Sequence, residues 1–183
     1  MGLNRNLKKI ALERLIYSLS IWLGILCLPG LTQIAPEASE KPLEINLLQT
    51  DSSVNRKDVL RGDRISATTI QVPSLWWTKE QFDPFSGRLI NNWLIYTQAQ
   101  GLERRVDILV NFQLWGLLDY IERYTLVNKF GTVGREYGYN IRVFNGQKEL
   151  LAAYTCNLPA ERPICNLWIE PSAQDSLQRG SKL

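Results

Sequence analysis

Asp119 and Glu122 stand three residues apart, and Asp83, Asp107 and Glu136 supply three more carboxylates in the central part of the chain. Two such groups about 5–10 Å apart in a cleft would serve as general acid and base of a hydrolase. Nothing in their spacing selects two of them. Asp119 and Glu122 share a helix face, and beside Arg123 they read as a solvated one. The chain has no histidine. It therefore holds no imidazole for a Ser-His-Asp or Cys-His site, and none to ligate zinc or haem. Its three cysteines fall short of a four-cysteine zinc site. The glycine-spaced run "FGTVGREYGYN" has neither the GxGxxG pattern nor a GK[ST] ending, so it reads as a turn entering a strand. No catalytic residue, cofactor site or metal ligand is assigned, and a non-enzymatic protein is expected.

Binding chemistry is better represented. In "SLWWTKEQF", residues 74–82, the adjacent Trp76 and Trp77 cannot point the same way on a helix or on a strand. With Leu75 and Phe82 on the buried face, Trp76 flanks that face and Trp77 falls opposite it. Tryptophan is favoured at protein interfaces and at membrane boundaries. Trp77, Lys79, Arg88 and Trp115 are the expected partner-binding residues. "NNW", residues 91–93, mixes amides with an aromatic ring, as sugar sites do, but reads better as satisfying edge backbone groups. Arg61-Gly62-Asp63 matches a tripeptide found in adhesive ligands, a match that chance supplies.

The remaining cysteine chemistry is a disulfide. Cys156 and Cys165 bracket "NLPAERPI" between the strand-like runs "ELLAAYT" and "NLWIE", as at the end of a stapled hairpin. Closing a loop of about ten residues stabilises by roughly 2–3 kcal/mol, and such a bond persists in an oxidising compartment. The N-terminus agrees. Arg5, Lys8, Lys9 and Arg14 precede an apolar stretch over residues 15–34, the layout of an export signal or an N-terminal membrane anchor. Removing the four basic and two acidic residues of 1–38 from the totals of 21 and 18 leaves a net charge of +1. No concentrated basic face remains, and nucleic acid is not an expected partner.

These residues are positioned by a predicted α+β domain. Residues 1–38 are the signal or anchor, 39–69 a polar linker, 70–171 the domain, and 172–183 a disordered tail. Ser74 is a candidate cap for a first helix. "RLINNWLIYTQ" and "RRVDILVNF" read as a strand pair, the second half-buried by its alternation. "QLWGLLDYIERYTLVNKF" reads as one helix. Its buried stripe is Leu114, Leu117, Leu118, Ile121 and Tyr124, Asp119 and Arg123 form an i,i+4 pair, and Gly131 and Gly134 end it. "YNIRVF" and "ELLAAYTC" flank the hairpin signal Asn145-Gly146. The expected order is helix-strand-strand-helix-strand-strand-strand, with a mainly antiparallel sheet of about five strands and one or two packed helices. The order resembles the Roadblock and profilin-like scaffolds, which mostly serve binding.

The runs "VPSLWWTKEQFDPFSGRLINNWL" and "FGTVGREYGYNIRVFN" resemble those of an uncharacterised family of exported cyanobacterial proteins, over residues 70–170. The resemblance implies a location, the periplasm or the thylakoid lumen, and carries no activity or catalytic residues to transfer. The expected function is that of an exported accessory protein, membrane-held through residues 15–34 if that segment is retained, acting on a protein partner at a photosynthetic or envelope membrane. One alternative is a domain binding a pigment, lipid or sugar between the sheet and the first helix. Another is a histidine-independent hydrolase using two carboxylates.

Overall fold

Apolar residues spread from Val59 to Ile169 build one sheet, and the structure, a computed structural model, describes residues 36–48, 58–63, 70, 74–97, 104–158 and 160–171. The export or anchor segment before Pro36 and the tail after Pro171 lie outside the described residues. The strands are β1 (Val59–Arg61), β2 (Ile90–Tyr96), β3 (Arg105–Val110), β4 (Asn140–Phe144), β5 (Leu150–Cys156) and β6 (Cys165–Ile169). The helices are α1 (Trp76–Phe82), α2 (Phe112–Leu117) and α3 (Tyr120–Glu136). The six strands lie in sequence order. Every junction is antiparallel except β3–β4, which is parallel. The α+β class and the mainly antiparallel sheet are as expected. The parallel junction follows from α2 and α3, because parallel neighbours need a crossover rather than a hairpin.

The helices cover one face. Ile90, Trp93, Ile95, Val106, Ile108, Ile141, Val143, Ala152 and Tyr154 point into the main core against Leu75, Trp115, Leu126, Val127 and Phe130. Gly131 sits on the Tyr154 ring and Gly134 on Ile141, so neither has room for a Cβ. Both lie inside α3 rather than at its end. The helix stops at Gly138, whose φ of +76° suits a residue without a side chain.

The other face is also covered, which corrects the expected linker at its described residues, 39–48 and 58–63. Residues 36–48 form a strap across the sheet, ending in a 3-10 turn at Ile45–Leu48. Its Leu43 and Leu47 pack with Leu94, Tyr96 and Phe144 in a second small core. Residues 59–61 of the same segment are strand β1. β3 is therefore buried on both faces, with Asp107 as fully enclosed as Val106. The Arg61 and Asp63 side chains of the Arg-Gly-Asp run pair with each other at 2.6 Å.

Two turns differ from expectation. Asn145 is buried, and its Oδ1 accepts from the N–H groups of Gln147 and Glu149. The residue with positive φ is Lys148, not Asn145 or Gly146. The hairpin is thus a wider turn organised by an asparagine side chain. At α1, Ser74 does not cap; its hydroxyl donates to the Tyr137 hydroxyl at 2.8 Å. The Cys156–Cys165 disulfide is present at the outer end of β5–β6.

Candidate interaction surface on the paired helices

The run expected as one helix is two, and the break decides what faces outward. Asn111 caps α2, its Oδ1 accepting from the Gln113 and Leu114 N–H groups. Leu118 leaves helical geometry with ψ 139°. Asp119 then starts α3 with a capping box, its carboxylate accepting from the Glu122 N–H while Glu122 accepts from the Asp119 N–H. The Asp119-x-x-Glu122 spacing is a helix start.

The break turns the stripe around. α3 buries Arg123, Leu126, Val127, Phe130, Gly131 and Gly134, a period of three and four residues. The expected buried stripe lies largely outside. Leu117 is 71% exposed and Ile121 66%, with Tyr120 and Tyr124 also exposed. On α3, Tyr124 lies between Tyr120 and Ile121 in angle, and the Tyr120 and Tyr124 rings are 6.5 Å apart. Ile121 also lines a shallow hollow of about 190 Å³ between Phe82, Pro84, Leu118 and Leu126. Large apolar side chains collected around a hollow are the usual form of a binding surface.

Trp115, expected on this surface, is only 4% exposed and belongs to the core. It sits on the inner side of α2, with the Arg123 guanidinium over its ring and Arg123 Nε donating to its carbonyl. Lys79 is half-buried: its Nζ donates to the Ile90 carbonyl at 2.8 Å and lies over the Trp76 ring. Trp77 is 61% exposed, and Arg88 is exposed with Nε donating to the Phe85 carbonyl. The four expected residues do not form one patch. Trp76 enters the core edge-on to Trp93 at 5.0 Å, so the adjacent tryptophans do divide between inside and outside.

Asp83, Asp107, Asp119 and Glu122 are engaged structurally. Asp83 is buried and accepts from the N–H groups of Phe85, Leu89 and Ile90, closing the turn after α1. Asp107 is held by two arginines. Arg142 Nε and Nη2 donate to its two oxygens at 2.8 and 2.7 Å, and Arg105 Nε approaches at 3.4 Å. Next to them, burial pushes the Tyr96 phenol well above its ordinary range, and the Asp107 charge adds to the effect. Among the described residues there is no cluster of side chains able to hold a metal ion, and no helix long and apolar enough to cross a membrane. Asn92, in "NNW", accepts from the Trp93 N–H at the β2 irregularity. Comparison of the chain with protein-family models, curated proteins and solved structures finds no match.

Proposed function

We propose that this chain is an exported, non-enzymatic accessory protein that engages a protein partner through the outward face of α2 and α3. The observation that carries the reading is the exposure of Leu117, Tyr120, Ile121 and Tyr124 on a well-capped helix pair. The core leaves these side chains out while α3 buries an arginine and two glycines. Asp119 and Glu122 flank the face. Their charge disfavours an anionic bilayer and favours a partner with an apolar centre and a basic rim. Tyrosines fit a protein interface, offering apolar area with a polar tip.

Export rests on the basic-then-apolar N-terminus and agrees with the disulfide, which needs an oxidising compartment. The family resemblance directs the partner toward a photosynthetic or envelope membrane, in the periplasm or thylakoid lumen, with residues 15–34 as the tether if retained. A binding role rather than a catalytic one is supported by the engagement of Asp83, Asp107, Asp119 and Glu122 in caps and ion pairs.

The test is affinity capture of the tagged full chain from gently solubilised membranes, with quantitative mass spectrometry of wild type, Ile121→Arg and Trp77→Ala. The expected result is one complex enriched with wild type, lost with Ile121→Arg and retained with Trp77→Ala. Equal capture by wild type and Ile121→Arg, or no enrichment at all, overturns the reading.

A further inference from the structure

The sheet face opposite the helices holds a second concave site. Thr155 and Asn166 are partners across β5–β6, as are Ala153 and Trp168. Alternation sends all four to the strap side, while Tyr154 and Leu167 turn to the helix side. The strap stands over them at a fixed place. The Thr155 hydroxyl donates to the Pro36 carbonyl, and Arg142 Nη1 donates to the carbonyls of Ser39 and Lys41, both at 2.6 Å. Glu37 and Ala38 lie between these anchors. They form the second wall of a groove of about 280 Å³ whose other wall is Asn166 and Trp168.

We propose that this groove binds a neutral saccharide, with one sugar ring stacked on Trp168 and its hydroxyls bonded to the Glu37 carboxylate and the Asn166 amide. The lining chemistry selects the class. Among the described residues no lysine or arginine lines the groove, and Glu37 repels anions, so a phosphate or carboxylate ligand is disfavoured. A lipid chain would leave a carboxylate and an amide desolvated without partners. A quaternary ammonium group wants a cage of aromatic rings, and Trp168 is the single aromatic among the described residues of the lining. A pyranose matches what is left. Its C–H face stacks on an indole, and its hydroxyls both donate to a carboxylate and exchange hydrogen bonds with an amide. The volume lies just under the usual lower bound of about 300 Å³ for small-molecule sites, suiting one ring with the rest of a chain running into solvent. Trp168 is 38% exposed on an edge strand, open to such a chain.

The experiment is a titration of the ¹⁵N-labelled full chain, in a detergent without a sugar headgroup, with maltotriose, cellotriose and tri-N-acetylchitotriose. The readout is the Trp168 indole N–H and the Asn166 side-chain amide, the indole signal assigned by Trp168→Phe. At least one sugar is expected to shift both signals saturably in the millimolar range. Glu37→Gln should weaken that binding about tenfold, as loss of a charge-assisted hydrogen bond does, with an otherwise unchanged spectrum. No saturable shift with any of the three sugars overturns the proposal. So does binding that Glu37→Gln leaves unaltered, and so does a response to tetramethylammonium chloride in place of the sugars.

Discussion

Asp107 and Arg142 are paired residues of neighbouring strands at the parallel β3–β4 junction, and their side chains meet in a two-point ion pair that is almost wholly enclosed. The third arginine nitrogen holds the strap through two backbone carbonyls. One guanidinium therefore joins the sheet to the segment that covers it. Removing Asp107 leaves two buried arginines without a carboxylate, and removing Arg142 leaves Asp107 with only the longer Arg105 contact; breaking a buried pair in this way costs about 3–5 kcal/mol, with Arg142 at the lower end. Urea unfolding of Asp107→Asn and Arg142→Leu should show losses of that size. The triple variant Arg105→Met/Asp107→Leu/Arg142→Met, which removes all three buried charges, should recover much of the loss in the sheet. Limited proteolysis should still cut its strap faster than that of wild type, because the carbonyls of Ser39 and Lys41 have lost their donor.

The Cys156–Cys165 bond closes a short loop at the sheet edge. Replacing both cysteines by serine should lower stability by roughly 2–3 kcal/mol in the chain-entropy model. Reductant should have the same effect on wild type and none on the double variant. Equal denaturation midpoints of oxidised and reduced wild type would count against a stabilising staple.

Much of this architecture was legible because it rests on local pattern. Strand alternation, the cysteine spacing and the divergence of Trp76 and Trp77 all report on residues close in sequence. What was hidden rests on distant partners. Asp107 and Arg142 look like the polar side of half-buried strands, and the partner that lets each be buried lies 35 positions away. The strap carries two apolar anchors, Leu43 and Leu47, in an otherwise polar segment, too few for a periodic signal. The buried stripe of α3 was masked by composition, since an arginine and two glycines occupy half of its inward positions. Asp119 and Glu122 did carry a readable signal. Their D-x-x-E spacing marks a helix start, and reading it so would have split the helix and moved Leu117 and Ile121 to the surface.

Gly131 and Gly116 should respond oppositely to the same substitution. A Cβ at Gly131 would run into the Tyr154 ring, while at Gly116 it would meet nothing. Gly131→Ala should destabilise by about 1–3 kcal/mol, the usual effect of overpacking. Gly116→Ala should stabilise by up to about 1 kcal/mol through helix propensity. Thermal melts of the two variants beside wild type check both signs at once.

Tyr96 should make the fold sensitive to alkali. Its phenol is buried without a hydrogen-bond partner among the described residues, beside Asp107, and holds its proton far above the ordinary value of 10.0. The unfolded chain releases that proton first as pH rises. The folded state then binds more protons, and stability falls with increasing pH. The contribution is fully present below about pH 10 and is lost above it. Tyr96→Phe should flatten this fall relative to wild type. It should also stabilise slightly at neutral pH, since a buried hydroxyl without a partner costs about 1–3 kcal/mol. Parallel slopes of the two proteins between pH 9 and 11, in urea unfolding series, would contradict the assignment.

The outward and inward sides of the paired helices should separate stability from binding. Trp115 lies in the core with Arg123 over its ring, so Trp115→Ala should cost about 3–5 kcal/mol. Ile121 stands 66% exposed. Ile121→Arg should change stability by no more than about 0.5 kcal/mol, as surface substitutions do. A partner bound on this face should nevertheless be released by it, because a charge placed among Tyr120, Tyr124 and the adjoining hollow would be desolvated on docking. Denaturation and capture are measured on the same two variants. If Ile121→Arg unfolds the domain, the exposed position assigned to it is wrong. If it folds normally and still captures the complex, the partner binds elsewhere, with exposed Trp77 on α1 the next place to look.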